Sequence, residues 1–290
     1  MMPSLAVSLV TFNSAGVIAA CLRSIPMDVP VYVVDNGSND NTLDMIRQER
    51  PDAVITVPHR NMGFGRAHNL NARKITADYI LVLNPDTVLQ SACLVYLLDA
   101  AQAPDAGMVG ALHQNDEGDV QSCFHNDLDY YPQLAPYKRK YCRKAVAATI
   151  VPDGPVCVEQ ITGALMLIRR DVYALVKGFN PKLFMYFEDD DICARIRKAG
   201  YNIILAPQAR VIHYEGKSSG SSDRVQCIKG YHFERSRKIV HAAYHGRGVS
   251  YYGLIGTGLL RCLRRAVKYR LKGKRSRAVY YMAGCKGLLS

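Results

Sequence analysis

Phe184-Met185-Tyr186-Phe187-Glu188-Asp189-Asp190-Asp191-Ile192-Cys193-Ala194-Arg195 sets four consecutive carboxylates behind aromatic residues and at the head of a helical pattern. Like charges this close raise one another's pKa unless a cation or a helix N-terminus relieves them. Ile192, Ile196 and Ala199 recur at helical spacing up to Gly200, so the acids fall where a helix begins. Two roles fit: an acidic helix cap beside core aromatics, or a general base at the mouth of a cleft for sugar or phosphate groups. Another acid, Asp86, stands in Asn84-Pro85-Asp86 directly after the apolar run Tyr79 to Leu83. A single carboxylate on a Pro-stiffened loop suits Mg2+ or Mn2+ bridging a diphosphate, and it equally suits a plain turn. His213 closes a later apolar run; a lone His there is usually structural, but a strand returning to the same cleft makes it a second metal ligand.

Two small-residue stretches lie between these groups. Asn61-Met62-Gly63-Phe64-Gly65-Arg66-Ala67-His68-Asn69 places two glycines just before a helix, where backbone approaches a ligand closely and phosphate is favoured. It has neither the G-x-G-x-x-G order nor the Lys of a P-loop. Thr162-Gly163-Ala164 is a small step inside the strand pattern Val156 to Arg170.

The elements that must hold these residues alternate. Leu5 to Val10, Val31 to Val34, Ala53 to Val57 and Tyr79 to Leu83 read as buried strands. Helices are expected after Ser14 (as N-cap), over Thr42 to Glu49 and over Ser91 to Ala101. Asp171 is expected to cap a short helix, and Asn202 to Leu205 and Ala209 to Ile212 to form two more strands. Strands alternating with helices predict an α/β fold: a Rossmann-like, mostly parallel sheet with helices on both faces. Ligands of such sheets bind at the carboxyl ends of the strands. The loops Thr11 to Ser14, Asp35 to Asp40 and Asn84 to Thr87 all follow strands and would converge there.

The 290 residues, 49% of them hydrophobic, suit one large domain with appendages. No apolar run approaches the roughly 18 residues that span a bilayer. The start, Met-Met-Pro-Ser-Leu, has no charged lead and speaks against a signal peptide. Nine cysteines without a C-x-x-C pair support neither zinc nor a disulfide framework and suit reduced thiols in the cytoplasm. Fourteen of the 37 Lys and Arg residues lie between Arg235 and Ser290, a stretch without Asp or Glu. The net charge of +12 therefore belongs to a tail. There Leu259, Leu263, Ala266, Val267 and Leu271 fall on one helical face and Arg261, Arg264, Arg265, Lys268 and Lys272 on the other. Such a helix either meets an anionic membrane surface or packs back on the domain. No RNA-binding or helix-turn-helix signature accompanies the charge, which excludes nucleic acid as the expected partner. From His113 to Val156 the pattern loosens around a basic knot, Lys138, Arg139, Lys140, Arg143 and Lys144, expected to face a second substrate.

Taken in order, Val10-Thr11-Phe12-Asn13, Val34 to Ser38, Asn61 to Gly65, Leu83 to Asp86, Thr162 to Ala164, Phe184 to Arg195 and Val211 to His213 resemble the family-2 inverting glycosyltransferases of GT-A fold. The likeness is strongest to the bacterial rhamnosyltransferases of lipopolysaccharide O-antigen and core, and spans about residues 4 to 245. It implies transfer of L-rhamnose from dTDP-L-rhamnose to a glycolipid acceptor, by an enzyme bound peripherally to the cytoplasmic face of the membrane. A UDP-sugar donor remains the alternative, and a non-catalytic nucleotide-sugar or membrane-binding protein the alternative of another class.

By the same resemblance Thr11 and Asp35 line the base pocket, Asp35 accepting from the pyrimidine imide. Asn61, Gly65 and Asn69 follow the ribose and diphosphate, and Asn13, Arg66 and Asn84 complete the nucleotide-sugar contacts. Asp86 and His213 hold Mg2+ or Mn2+, and Asp189 is the catalytic base. Glu188, Asp190, Asp191, Arg195, Thr162 and Gly163 contact the acceptor or support the site. Asn84 replaces the first acid of the Asp-x-Asp motif, which removes a charge from the metal shell; this variant is familiar among rhamnosyltransferase-like members. The implied division is 1–245 catalytic, with nucleotide (1–112) and acceptor (113–245) halves, and 246–290 a membrane-associating helical tail.

Overall fold

The computed structural model describes residues 3–125, 151–214 and 222–290. The basic knot at 138–144 lies outside them. Chain contacts define two units: Met1–Asn180 with Asp189–Ser218, and Pro181–Glu188 with Ser219–Ser290. This division differs from the boundary expected after residue 245.

The first unit is an α/β sheet. Its strands are β1 (Leu5–Thr11), β2 (Val31–Asp35), β3 (Val54–Thr56), β4 (Tyr79–Leu83), β5 (Thr87–Leu89), β6 (Ala106–Gln114), β8 (Val156–Val158), β10 (Leu165–Arg169) and β11 (Asn202–His213). The order is β3-β2-β1-β4-β10-β6-β11-β5, with β8 also on β11. A separate short pair joins β7 (Phe124–His125) to β9 (Gln160–Ile161). β1 to β4, β6 and β11 run one way; β10, β5 and β8 run against them. The sheet is therefore mostly parallel but mixed.

Both faces are covered, which explains strands that are apolar at every position. Val7, Leu9, Leu81, Leu83, Leu165 and Leu167 enter one buried cluster. Their neighbours Ala6, Ile80, Val82, Met166 and Ile168 enter the other. The two-residue period thus sends alternate side chains into two cores.

Four local expectations are corrected. Val156 to Arg170 is not one strand but β8, β9 and β10, and Thr162-Gly163-Ala164 is the turn between the last two. The second half of the chain's late strand pattern is continuous: β11 runs through Pro207 by a register shift between Ala206 and Arg210. Ser14 starts its helix turn with its backbone carbonyl, accepting from Val17 and Ile18, while its hydroxyl accepts from Phe12 N. Asp171 sits in the first turn of helix Arg170–Leu175 rather than before it.

The second unit is helical: Asp223–His245, Val249–Leu271 and Arg275–Leu289. The basic segment is thus not a single free helix. Ser222 Oγ caps the first helix by accepting from Val225 N. Glycines let the first and last helices meet backbone to backbone: a Cβ on Gly230 would lie 1.9 Å from the Tyr280 carbonyl oxygen. Glu234, 4% exposed, is held there by Arg261 Nη2 at 2.7 Å and Arg237 Nη2 at 3.4 Å. In the 181–188 segment Phe184 stacks on His232, Tyr186 and Phe187 pack on Phe233, and Ser236 Oγ donates to the Met185 carbonyl. Gly230→Ala is expected to cost at least about 3 kcal/mol, the upper end of ordinary overpacking, because the obstacle is backbone. Gly256→Ala, in a helix with no atom within 4 Å of the new methyl, should instead gain up to about 1 kcal/mol. Thermal melts of both variants check the pair; equal melting points would contradict this packing.

Candidate functional site

The carboxyl ends of β1, β2 and β4 bring the polar loops together. Asp35, fully buried at the end of β2, accepts from Thr11 Oγ1 at 2.7 Å, Gly37 N at 3.1 Å, Ser38 N at 2.8 Å and Ser38 Oγ at 2.6 Å. Those donors fill the lone-pair positions of a carboxylate. A pyrimidine imide could reach Asp35 only by displacing one of them. Asn13, in a left-handed conformation with φ 53°, links the same loops: its N donates to Ser38 Oγ and its Oδ1 accepts from Asn39 N. Asn36, not singled out in the sequence, accepts from Met62 N at 2.9 Å and donates to the Gly63 carbonyl at 3.2 Å. It thereby docks the Asn61 loop on the β2 loop. Asn61 Oδ1 accepts from Gly63 N at 2.8 Å and forms the turn that starts helix Phe64–Ala72. Arg66, half-buried, lies in that helix's first turn.

Gly65 and Asn69, expected along the ribose and diphosphate, have structural partners as well. A Cβ at Gly65 would sit 2.7 Å from Phe179 Cβ, so this glycine admits a neighbouring side chain. Asn69 Nδ2 donates to the Phe179 carbonyl, and its Oδ1 accepts from Phe179 N and Tyr173 Oη. Its amide clasps the 178–179 turn.

The Asn84-Pro85-Asp86 loop leaves β4 and is fastened to the 162–164 turn: Asn84 N donates to the Ala164 carbonyl at 2.9 Å. The next residue back in that turn, Gly163, donates its N–H to Asp189 Oδ2 at 3.2 Å. A run of one turn therefore joins the acid of one loop region to the acid at the head of helix Glu188–Lys198. Asp189 Oδ1 accepts from Asp190 N at 3.0 Å, so the helix N-terminus meets its charge. Thr162 Oγ1 is buried without a hydrogen-bond partner beside this bridge.

Asp86 is 2% exposed, and its Oδ1 has no hydrogen-bond partner. His213 Nε2, at the end of β11, stands 3.6 Å from that oxygen. The β11–β5 pairing, which sets His213 opposite Thr87, holds the two in place. A buried carboxylate oxygen left open toward an imidazole nitrogen fits a divalent cation. Among the described residues no group of three His, Cys, Asp or Glu is placed to hold one. The remaining ligands would come from water and from a bound ligand's oxygens, as is common for Mg2+. His113, on β6, packs edge-on against the His213 ring at 5.5 Å. Burial first, then the neighbouring His213 ring, pushes its pKa down to about 3, so His113 is neutral.

The other acids divide by partner. Asp191 accepts from Arg195 Nε at 2.8 Å, and Arg195 donates on to the carbonyls of Val176 and Gly178. This pair fixes the helix to the 176–178 turn and supports the site from behind. Glu188 is buried and belongs to the second unit. Before it, Tyr186 and Phe187 both take left-handed φ, 69° and 65°. Consecutive non-glycine residues in that region store strain of the kind found at functional sites.

Asp190 is pushed up to about 8, first by burial and then by Asp189 and Asp191. Its folded pKa lies above the ordinary 3.8, so the folded chain holds a proton that the unfolded chain releases. Stability from this group falls as pH rises between those values. Asp190→Asn should therefore raise the melting temperature, by more near pH ~8 than near pH ~6. A gain that is constant over this range would contradict the shift.

The family model described as Glycosyltransferase like family 2 matches residues 3–229. An N-acetylglucosaminyl-diphospho-decaprenol L-rhamnosyltransferase of Mycobacterium tuberculosis is 28% identical over 215 residues, covering 66% of this chain and 68% of that protein. The rhamnosyltransferase WbbL of Escherichia coli K12 is 26% identical over 163 residues, 52% of this chain and 61% of that protein. Among solved structures, a mannosyltransferase from Pyrobaculum calidifontis in complex with GDP-Man and Mn2+ superposes with TM-score 0.58 at 17% identity, covering 100% of this chain and 88% of the other. Staphylococcus aureus TarS with UDP-GlcNAc gives 0.52 at 15%, over 97% and 90%.

Proposed function

Because this chain belongs to glycosyltransferase family 2 and has the GT-A fold of those enzymes, we propose that it is an inverting rhamnosyltransferase. It moves L-rhamnose from dTDP-L-rhamnose to a lipid-linked or lipopolysaccharide glycan at the cytoplasmic face of the membrane. The supporting observation is the bridge Asp189–Gly163–Ala164–Asn84, which couples a helix-head carboxylate to the Asp86 loop. Asp189 takes the proton of the acceptor hydroxyl as its oxygen attacks the anomeric carbon opposite the leaving diphosphate. Asp86 and His213 would hold Mg2+ or Mn2+, which when bound offsets charge on the departing nucleoside diphosphate. Thr11, Asn13, Asp35, Asn61 and Arg66 frame the nucleotide, and Asn84 borders its diphosphate. Rhamnose as the sugar is supported by relatives that bear that name. The basic helical unit keeps the enzyme at an anionic inner leaflet; no helix among the described residues is long and apolar enough to cross a membrane.

Nucleotide-induced thermal stabilisation tests the donor. Melts with dTDP, UDP, GDP and CMP, each with and without Mn2+, rank the base directly, since a ligand of the native state raises the melting temperature. A metal-dependent preference for dTDP is expected. A preference for UDP replaces rhamnose by galactose, galactofuranose or an N-acetylhexosamine, and no shift with any nucleotide contradicts the donor site.

A further inference from the structure

Helix Val249–Leu271 carries two apolar faces, where the sequence suggests one. Gly258, Cys262 and Ala266, spaced by four, are buried inside the helical unit, Gly258 against Leu288 and Cys262 in a cluster with Cys285 and Leu288. Leu260, Leu263, Val267 and Leu271 follow the opposite face at 57, 47, 58 and 84% exposure. At 3.6 residues per turn, Arg264 and Lys268 border this open stripe on one side and Arg270 on the other. The stripe runs on into a groove of about 800 Å3 within the same unit, inside the roughly 300–1,000 Å3 range of ligand sites. Val267 belongs to both; Val279 and Met282 continue the apolar lining, and Arg270, Arg275 and Lys286 add cations. Arg275 Nε is paired with Asp223 at 3.0 Å. Arg270 and Lys286 have no ion pair among the described residues.

We propose that the stripe and groove together are a docking site for an anionic phospholipid. The helix lies in the membrane plane with Leu260, Leu263, Val267 and Leu271 at the headgroup–acyl boundary. One acyl chain enters the groove against Val267, Val279 and Met282 while Arg270 and Lys286 hold the phosphate. The inference rests on the membrane-face reading above and adds the face, the lipid charge and the groove. Charge decides among occupants. A second copy of this stripe would set Arg264 and Lys268 against their own kind, and nucleic acid would leave four exposed aliphatic side chains without apolar cover.

Cys227 lines the groove and is exposed, so its alkylation reports occupancy residue by residue. The experiment uses the full chain with phosphatidylcholine vesicles, with or without phosphatidylglycerol, and with inorganic phosphate alone. Sedimentation measures binding, and peptide mass spectrometry measures N-ethylmaleimide modification of Cys227. Wild type should sediment with the anionic vesicles only, and only they should slow Cys227 modification. Lys286→Gln should weaken partition about fivefold, and Arg270→Glu about 25-fold, from the loss of one and two charge units near the surface. Val267→Glu should weaken it as well, with nucleotide-induced stabilisation kept in all three. Failure of wild type to sediment overturns the membrane reading and this site with it. Normal sedimentation of the variants, or unprotected Cys227 on bound protein, overturns the site alone. Protection by inorganic phosphate without vesicles reassigns the cations to a free anion and overturns the lipid.

Discussion

Asp189→Asn should leave nucleotide binding unchanged and lower turnover by about 10²-fold or more, the scale of a positioned general base. The reason is local. Asn keeps one oxygen, which can still accept from Gly163 N, while its NH2 group takes the place of the oxygen that accepts from Asp190 N. The bridge to the 162–164 turn survives, one helix-head bond is given up, and the capacity to take a proton is lost. The split is the diagnostic feature: kcat falls while nucleotide-induced stabilisation stays at the wild-type value. A variant that has lost both has lost the turn at 162–164, and a variant with full activity places the base elsewhere. Asp190→Asn is the internal comparison. Burial and the flanking carboxylates hold the Asp190 proton more tightly than an ordinary carboxyl does, so its replacement should cost far less turnover than that of its neighbour.

Asp86→Ala should abolish the metal-dependent part of nucleotide binding. At nucleotide near 100 times its dissociation constant, binding stabilises the wild type by about 2.7 kcal/mol. For a domain of this size that is a rise of roughly 5–10 °C in melting temperature. The variant should lose most of the increment that Mn2+ adds. Its melt without nucleotide is the control. The removed carboxylate holds a buried oxygen with no hydrogen-bond partner, so the ligand-free variant should melt no lower than wild type. His213→Ala should lose a smaller share, since a neutral imidazole carries no charge toward the ion. An unchanged Mn2+ increment in the Asp86 variant would move the ion to other residues.

How far these features could be read from sequence depends on what each residue touches. β4 and helix Thr42–Glu49 have the bounds expected of them, because an unbroken apolar run and a clean amphipathic pattern report burial directly. The loops after β1, β2 and β4 were legible because turn formers directly follow buried runs. β6 was not, although it is central. Gly107 and Gly110 interrupt its pattern, and the structure explains them: a Cβ would lie 2.7 Å from Tyr201 Cβ and 2.8 Å from Ile161 Cδ1. β11 read as two strands because Pro207 looks like a break, whereas the register shift accommodates it.

The same limit separates the site residues. Residue type pointed to Asp86, His213 and the acidic helix head. It could not show that Asn69 and Gly65 serve Phe179, that Asp35 is already supplied with four donors, or that His113 backs the His213 ring. Apart from the Gly37 and Ser38 bonds to Asp35, which are local, those are contacts between residues far apart in the chain, and spacing carries no trace of them. The basic helix shows the converse. Charge placement found it, but only packing reveals that its small residues face inward and its large aliphatic ones remain outside.

Inverting transfer with Asp189 as base fixes the stereochemistry of the product, and one product linkage is enough to decide it. Purified full-length protein, Mn2+, dTDP-L-rhamnose and a lipid-linked glycan acceptor would be incubated, and the anomeric configuration of the new linkage read by NMR. Acceptor-dependent release of dTDP is expected, one nucleotide per sugar transferred, with an inverted linkage and loss of the product signal in Asp189→Asn. A linkage of retained configuration, or one formed at the wild-type rate by the Asp189 variant, would contradict it.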